Sequence, residues 1–147
     1  MIEVFGVDLK ENPNLQIRKA DLAVEQIPFE DQFFDAVSAF DFIEHIPRLL
    51  YSPQRRYPFV ELMNEIYRVL KPEGVLMSVT PAYPAGEAFR DPTHVNIITE
   101  ETFPQYFDQN NRLAAMYGFN GYFQIIEQKW HENQTHLCTI MRKLTLK

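Results

Sequence analysis

The chain has 147 residues, of which 46% are hydrophobic and 14% aromatic, enough apolar material for one compact domain with its own core and too much for a disordered tail. Lys and Arg number 14 against 20 Asp and Glu, a net charge of -6, which disfavours a partner held mainly through nucleic-acid phosphates while leaving room for a local basic patch. No apolar run approaches the ~20 residues of a membrane span. The single cysteine, Cys138, excludes an internal disulfide, and Met1 leads straight into strand-like sequence rather than a secretion signal. A cytoplasmic protein without membrane contact is the expectation.

No internal repeat or low-complexity stretch is present, and 10 prolines outnumber 5 glycines. Punctuation between elements therefore falls mainly to proline, and residues 1–147 read as a single domain. Glu3 to Val7 is short, apolar and partly β-branched, and ends at Asp8 before the turn-rich Lys10 to Asn14, the pattern of a buried strand. Leu15, Ile17 and Ala20 mark a second short strand closing at Asp21, and Phe34 to Phe40 (FDAVSAF) a third, after the turn Pro28 to Gln32. From Phe59 to Leu70 (FVELMNEIYRVL) apolar residues recur at Phe59, Leu62, Met63, Ile66 and Leu70, the spacing of a helix with one core face. Lys71 suits that helix's negative end, and Pro72 and Gly74 then stop it before a buried strand from Val75 to Val79. Thr99, followed by Glu100 and Glu101, predicts the N-cap of a short helix through Phe107. A further helical piece is expected from Asn111 to Tyr117, before Gly118. Phe123 to Trp130 and His136 to Met141 read as an antiparallel hairpin around a polar turn, His131 to Gln134. Parallel-type strands followed by a hairpin imply a three-layer α/β domain.

This succession resembles one family. VFGVDL (residues 4–9), KADL (19–22), IPFEDQFFDAVSAFDFIEHI (27–46), ELMNEIYRVLKPEGVLMSVTP (61–81) and DPTHVNIITEETF (91–103) are together similar to the class I S-adenosylmethionine-dependent methyltransferases, specifically the small type 11 members. The resemblance covers nearly the whole chain and implies a Rossmann-like three-layer sandwich, its mostly parallel sheet ending in a C-terminal antiparallel hairpin. It also exposes a departure. Family members open with a strand and a glycine-rich loop of the form acid-x-G-x-G-x-G, whereas Gly6, Gly74, Gly86, Gly118 and Gly121 form no such cluster. The chain thus resembles a member that starts at its second strand, with the missing strand belonging between Glu3–Val7 and Phe34–Phe40. Buried unpaired amides cost ~1 to 3 kcal/mol each. Either those two strands close up on each other or a second chain supplies pairing, so a homo-oligomer is expected.

In an open parallel sheet, ligands bind beyond the carboxyl ends of the strands. There the resemblance implies that Asp8 accepts hydrogen bonds from both ribose hydroxyls of S-adenosylmethionine. It implies likewise that Asp21 binds the adenine amino group with Leu22 against the ring, and that Phe40 and Asp41 border the methionine end. Without the family pattern, Asp8 and Asp21 read as ordinary turn acids at strand ends. Cofactor binding is expected to be weak, because the lost loop would have supplied the close backbone approach.

Asp41, Glu44 and His45 in D-F-I-E-H, with His94 in DPTHV, combine carboxylates and imidazoles, a set able to bind a divalent metal. The expectation is nevertheless no metal, with Glu44 capping a helix and His45 lining an acceptor pocket. His45 or His94 is the candidate general base for an acceptor hydroxyl, since imidazole titrates near neutrality. DPTHV also resembles a loop in methyltransferases encoded beside sugar-polymer genes, so the expected acceptor is a small molecule or sugar. Arg48, Arg55 and Arg56 with Tyr51 and Tyr57 form a basic, aromatic insert, read as a solvated loop in preference to an anionic contact. Tyr122, Phe123 and Trp130 read as core or interface residues, and Cys138 as a small buried hydrophobe. Methyl transfer by positioning is the leading reading. A catalytically silent fold acting as a binding or assembly module is the alternative.

Overall fold

The computed structural model describes residues 1–131 and 133–146. Its elements run β1 (Gly6–Asp8), β2 (Ile17–Lys19), β3 (Phe34–Phe40), α1 (Pro58–Val69), β4 (Leu70–Pro81), α2 (Thr102–Tyr106), β5 (Phe123–His131) and β6 (His136–Lys143), with short 3-10 turns between them. Four strands form one sheet in the order β3-β4-β6-β5, parallel between β3 and β4 and antiparallel across β4, β6 and β5. β1 and β2 form a separate parallel pair. The result is an α/β, Rossmann-like arrangement with a mixed sheet.

α1 forms where the apolar spacing places it. Pro58 occupies its first turn, where a missing N–H costs nothing, and Phe59, Leu62, Met63, Ile66 and Val69 turn one buried face to the core. At its far end, the expected tight turn is absorbed into the ladder. Leu70 pairs with Phe34 and Val75 with Ala36, so residues 71–74 loop out as an irregularity inside β4. Gly74 is required there, because a Cβ would lie 2.9 Å from the Lys71 carbonyl oxygen and 3.1 Å from that of Asp35. Lys71 does not cap the helix. Its ammonium pairs with Asp35 at 2.9 Å, and it is Lys143, from β6, that donates to the carbonyls of Tyr67 and Leu70 at 2.6 and 2.7 Å. Burial lowers the Lys143 pKa, and these two carbonyls replace the water its ammonium has lost.

Several boundaries shift from the sequence reading. β1 lies later than Glu3–Val7, and Leu15 sits in a 3-10 turn before β2. Thr99 is not the N-cap of α2, which starts only at Thr102. Its hydroxyl instead accepts the Glu101 N–H, and its own N–H donates to the Thr102 hydroxyl. The stretch before Gly118 is a 3-10 helix, Leu113–Tyr117. The terminal hairpin forms as read, although Glu132, in its turn, lies outside the described residues.

β1 and β3 do not close up on each other. They belong to different sheets, and between them lies a cavity of about 1130 Å³. Every residue from Met1 to Val7 lines one wall and every residue from Phe33 to Phe40 the other. Side chains alternate faces along a strand, so unbroken runs of this kind mean that each wall is a backbone edge. Phe5 fixes the relative direction, packing edge-on against Phe29, Phe33 and Phe34 with ring centroids 5.3 to 6.1 Å apart. The start of β1 is thereby held beside the start of β3, and Asp8 and Phe40 lie at the opposite end.

With Ile66 only 2% exposed on the core face of α1, Ile66→Ala is expected to cost ~2 to 5 kcal/mol in urea unfolding. A loss well under ~1 kcal/mol would assign the buried face of α1 wrongly.

Candidate functional site

The residues that follow β3 build the centre of the site. Asp41 adopts a left-handed backbone conformation, φ 47°, which is uncommon for a residue with a Cβ. Its N–H still donates to Val79 at 2.9 Å, so the β3–β4 ladder extends to the point where the chain turns. Its carboxylate lies 3.0 Å from His136 Nε2, at the start of β6. A 3-10 turn, Ile43–His45, then drops Glu44 into the interior.

Glu44 is 1% exposed and holds three segments together. Its Oε2 accepts the Thr80 hydroxyl of β4 at 2.9 Å. Its main-chain carbonyl accepts the N–H groups of Val95 and Asn96 at 2.9 and 3.0 Å. Asn96 in turn donates to the Ile43 carbonyl at 3.2 Å and accepts from Arg48. The loop from Asp91 to Asn96 is thus laced to the turn after β3. Two members of the basic insert are consumed internally: Arg48 donates to Asn96 and to the Ile97 carbonyl, and Arg56 pairs with Glu61. Arg55 lies over the Tyr51 ring, 5.7 Å from its centroid.

This lacing brings His45 and His94 together, their rings edge to face with centroids 4.8 Å apart. Their tautomers follow from their partners. The Thr93 hydroxyl donates its one proton to Asp91 Oδ1 at 2.7 Å, so His45 Nδ1, 3.1 Å from the same hydroxyl, is the donor in that contact. His94 Nδ1 faces the Ala88 carbonyl at 3.2 Å, which only accepts. In the neutral form each ring therefore carries its lone pair on Nε2. His45 Nε2 lies 3.9 Å from Glu44 Oε1, and His94 Nε2 lies 3.8 Å from Asp91 Oδ2. The Thr93 hydroxyl and N–H hold the Asp91 carboxyl below its usual range.

The proposed cofactor residues lie at the strand ends, in varied states. Asp8 is exposed at the end of β1, its Oδ1 taking only a 3.4 Å contact from the Lys10 N–H. Its carbonyl accepts the Ala20 N–H, which sets Asp21 one residue beyond. Asp21 closes its own turn, as a strand-ending acid would, with Oδ1 accepting the Ala23 N–H at 3.0 Å. Leu22 and Phe40 line the cavity between β1 and β3, and Phe40 is 57% exposed. Asp41 points to His136, a partner that sequence reasoning missed. Asp91, Thr93 and Thr80 were missed as well. The D-x-T spacing carries a local signal for the first two, since an Asp two residues before a Thr closes an Asx turn. Nothing local marks Thr80 or His136, which arrive from other strands.

A sequence profile for a methyltransferase domain matches residues 1–78, just over half of the chain. The chain belongs to this methyltransferase family. Its class I fold recurs in solved structures. A SAM-dependent methyltransferase from Archaeoglobus fulgidus superimposes with a TM-score of 0.62 at 17% identity, over 97% of this chain and 76% of that one. A chain from the complex of the Haloferax volcanii Trm112 methyltransferase activator with a methyltransferase gives 0.64 at 14%, over 96% and 72%. The [4+2]-cyclase SpnF gives 0.57 at 16%, over 88% of this chain but only 56% of its own length. No curated protein sequence matches the chain. In this methyltransferase domain, no helix among the described residues is long and apolar enough to cross a membrane.

Because the buried Glu44 carboxylate has the Thr80 hydroxyl as its hydrogen-bond donor, Thr80→Val is expected to destabilise the domain by ~1.5 to 3 kcal/mol in denaturant. A change within ~0.5 kcal/mol would show that the Thr80–Glu44 hydrogen bond does not hold the two segments together.

Proposed function

We propose that this domain carries out S-adenosylmethionine-dependent methyl transfer to the hydroxyl of a small molecule or sugar. The observation that supports it is the presence of exposed carboxylates at the ends of β1 and β2 together with two oriented imidazoles, His45 after β3 and His94 in the loop laced to it. Asp8 fits a vicinal diol, since among the described residues its carboxylate makes one long intramolecular contact. Asp21 fits less fully: one oxygen is engaged by Ala23 and the other remains for an amino group. Leu22 and Phe40 supply apolar surface beside them. Asp41 borders the methionine end, and its bond to His136 fixes its rotamer. When bound, the cofactor would supply a sulfonium methyl for transfer to the acceptor oxygen, its sulfur leaving as the neutral thioether.

The chain's own contribution is alignment and proton removal. His45 or His94 takes the acceptor proton at Nε2, because Nδ1 of each ring is engaged with Thr93 or Ala88. Tyr83 and Phe89, an exposed edge-to-face pair with centroids 6.3 Å apart, flank the short segment that contains Ala88 and offer apolar surface to an acceptor.

One observation favours a second reading, a silent fold used for binding or assembly. β1 and β3 belong to different sheets with an open cavity between them instead of a continuous wall, and the cyclase SpnF illustrates that a fold does not fix its chemistry.

Calorimetry with S-adenosylhomocysteine separates the two. With one wall open, binding is expected to be weaker than ~10 μM, and loss of charge-assisted bonds in Asp8→Ala to weaken it a further ~10-fold or more. Tight binding that ignores Asp8→Ala would remove Asp8 from the site, and no binding at millimolar ligand would favour the silent fold. The unpaired edges of β1 and β3 also lead us to infer self-association, expected as a concentration-dependent dimer in sedimentation. A monomer throughout would mean that water alone satisfies those edges.

A further inference from the structure

We propose that Glu44, His45 and His94 form a binding site for one divalent transition-metal ion. One ligand atom from each residue falls within 4.8 Å of the others. All three can be acceptors at once: Glu44 Oε1 is the carboxylate oxygen not taken by Thr80, and both Nε2 atoms carry lone pairs. With both imidazoles neutral no donor stands among them, and His45 Nε2 lies 3.9 Å from Glu44 Oε1, too far for a hydrogen bond. Three acceptors facing one another without a proton repel, and a cation at their centre reverses the sign of that interaction.

Three features make this a built site rather than a chance cluster. Glu44 is 1% exposed, and a buried carboxylate demands a counter-charge. Among the described residues no Lys or Arg pairs with it, and Arg48 is directed to Asn96 and the Ile97 carbonyl. Second, each imidazole is oriented through its other nitrogen, His45 by Thr93 and His94 by the Ala88 carbonyl, the arrangement that fixes metal-ligating histidines. Third, Asp91 stands 3.8 Å from His94 Nε2 and orients Thr93, adding negative charge beside an ion that one carboxylate neutralises only in part. Donor atoms on one ion at ~2.0 to 2.2 Å are ~3 to 3.5 Å apart, so shifts of ~1 Å at the ring tips close the set. Two imidazoles and one carboxylate suit zinc, iron(II) or manganese better than magnesium or calcium, and they leave coordination positions open.

Asp41, the other acid of the D-F-I-E-H stretch, takes no part, since His136 engages it. Metal and free base are alternatives at this site: a bound ion occupies the Nε2 lone pairs and would itself lower the pKa of an acceptor hydroxyl bound to it. The site is defined without reference to methyl transfer.

The test is titration of the chelator-treated chain with Zn²⁺ by calorimetry and with Co²⁺ by visible absorption. Expected is one ion per chain, with a Co²⁺ d–d band that EDTA abolishes. His94→Gln and Glu44→Gln are each expected to weaken binding at least ~10-fold, and Thr93→Val, which touches no ion but orients His45, by ~10-fold. His131→Gln, on the exposed terminal hairpin, should change nothing. Circular dichroism shows which variants fold; if Glu44→Gln does not, His94→Gln and Thr93→Val carry the test. Absence of saturable binding, or binding indifferent to His94→Gln and Thr93→Val, overturns the proposal. Neither cofactor nor acceptor is present in these titrations, so their outcome is independent of S-adenosylhomocysteine binding.

Discussion

The arrangement around the candidate site depends on one buried side chain, Glu44, and on the fact that its side chain and main chain bind in different directions. The carboxylate reaches β4 through Thr80, while the main-chain carbonyl of the same residue receives Val95 and Asn96. A single residue thereby couples the sheet to a loop that enters from some fifty residues later in the chain. Without that coupling, Thr93 and His94 would belong to a surface loop with no fixed relation to His45. The bond between the Glu44 carboxylate and Thr80, in a region shielded from water, fixes Glu44 on the sheet, and the two bonds to its main-chain carbonyl then hold the loop in register without a regular element to carry it.

The opposite side of the domain shows how little constraint exists where such coupling is missing. β1 and β2 meet the rest mainly through Phe5, Phe29, Phe33 and Phe34, an aromatic cluster at one end of the cavity. Aromatic packing supplies area and direction but no strand register. The main-chain groups of β1 and β3 that face the cavity remain reachable by water, so they avoid the penalty of buried unpaired amides. That is why the split sheet can stand at all, and why Val4 and Phe40 remain exposed at 70% and 57%.

What the sequence reveals follows the range of the forces involved. α1 is legible because its core face repeats within a few residues, and β3 because its limits are set by local turns; both appear within a residue of their expected spans. The residues after Leu70 are misread as a separate turn, since Pro72 and Gly74 look like stop signals, whereas pairing of Leu70 with Phe34 starts the ladder before them. Lys71 looks like a helix cap by position, but Lys143 reaches the same carbonyls from a strand seventy residues away. His45 and His94 are individually conspicuous. Their convergence, the roles of Thr93 and Asp91 around them, and the diversion of Asp41 to His136 all rest on long-range contacts that no local pattern encodes.

These two halves differ in the kind of work they can do. Around Glu44, ligand-facing atoms are held by partners that are themselves held: Thr93 by Asp91, Asn96 by Arg48 and the turn after β3. Such a site meets an incoming group with little reorganisation, the condition under which electrostatic stabilisation is effective. Around Asp8 and Asp21 the carboxylates are exposed and their support is thin, with one long contact at Asp8 and a self-contained turn at Asp21. A ligand there would have to order the walls it touches, and that ordering subtracts from affinity. Any ligand that Asp8 and Asp21 receive is therefore sensitive to whatever comes to lie between β1 and β3, whereas the orientation of the two imidazoles is set by the fold through Thr93 and Ala88.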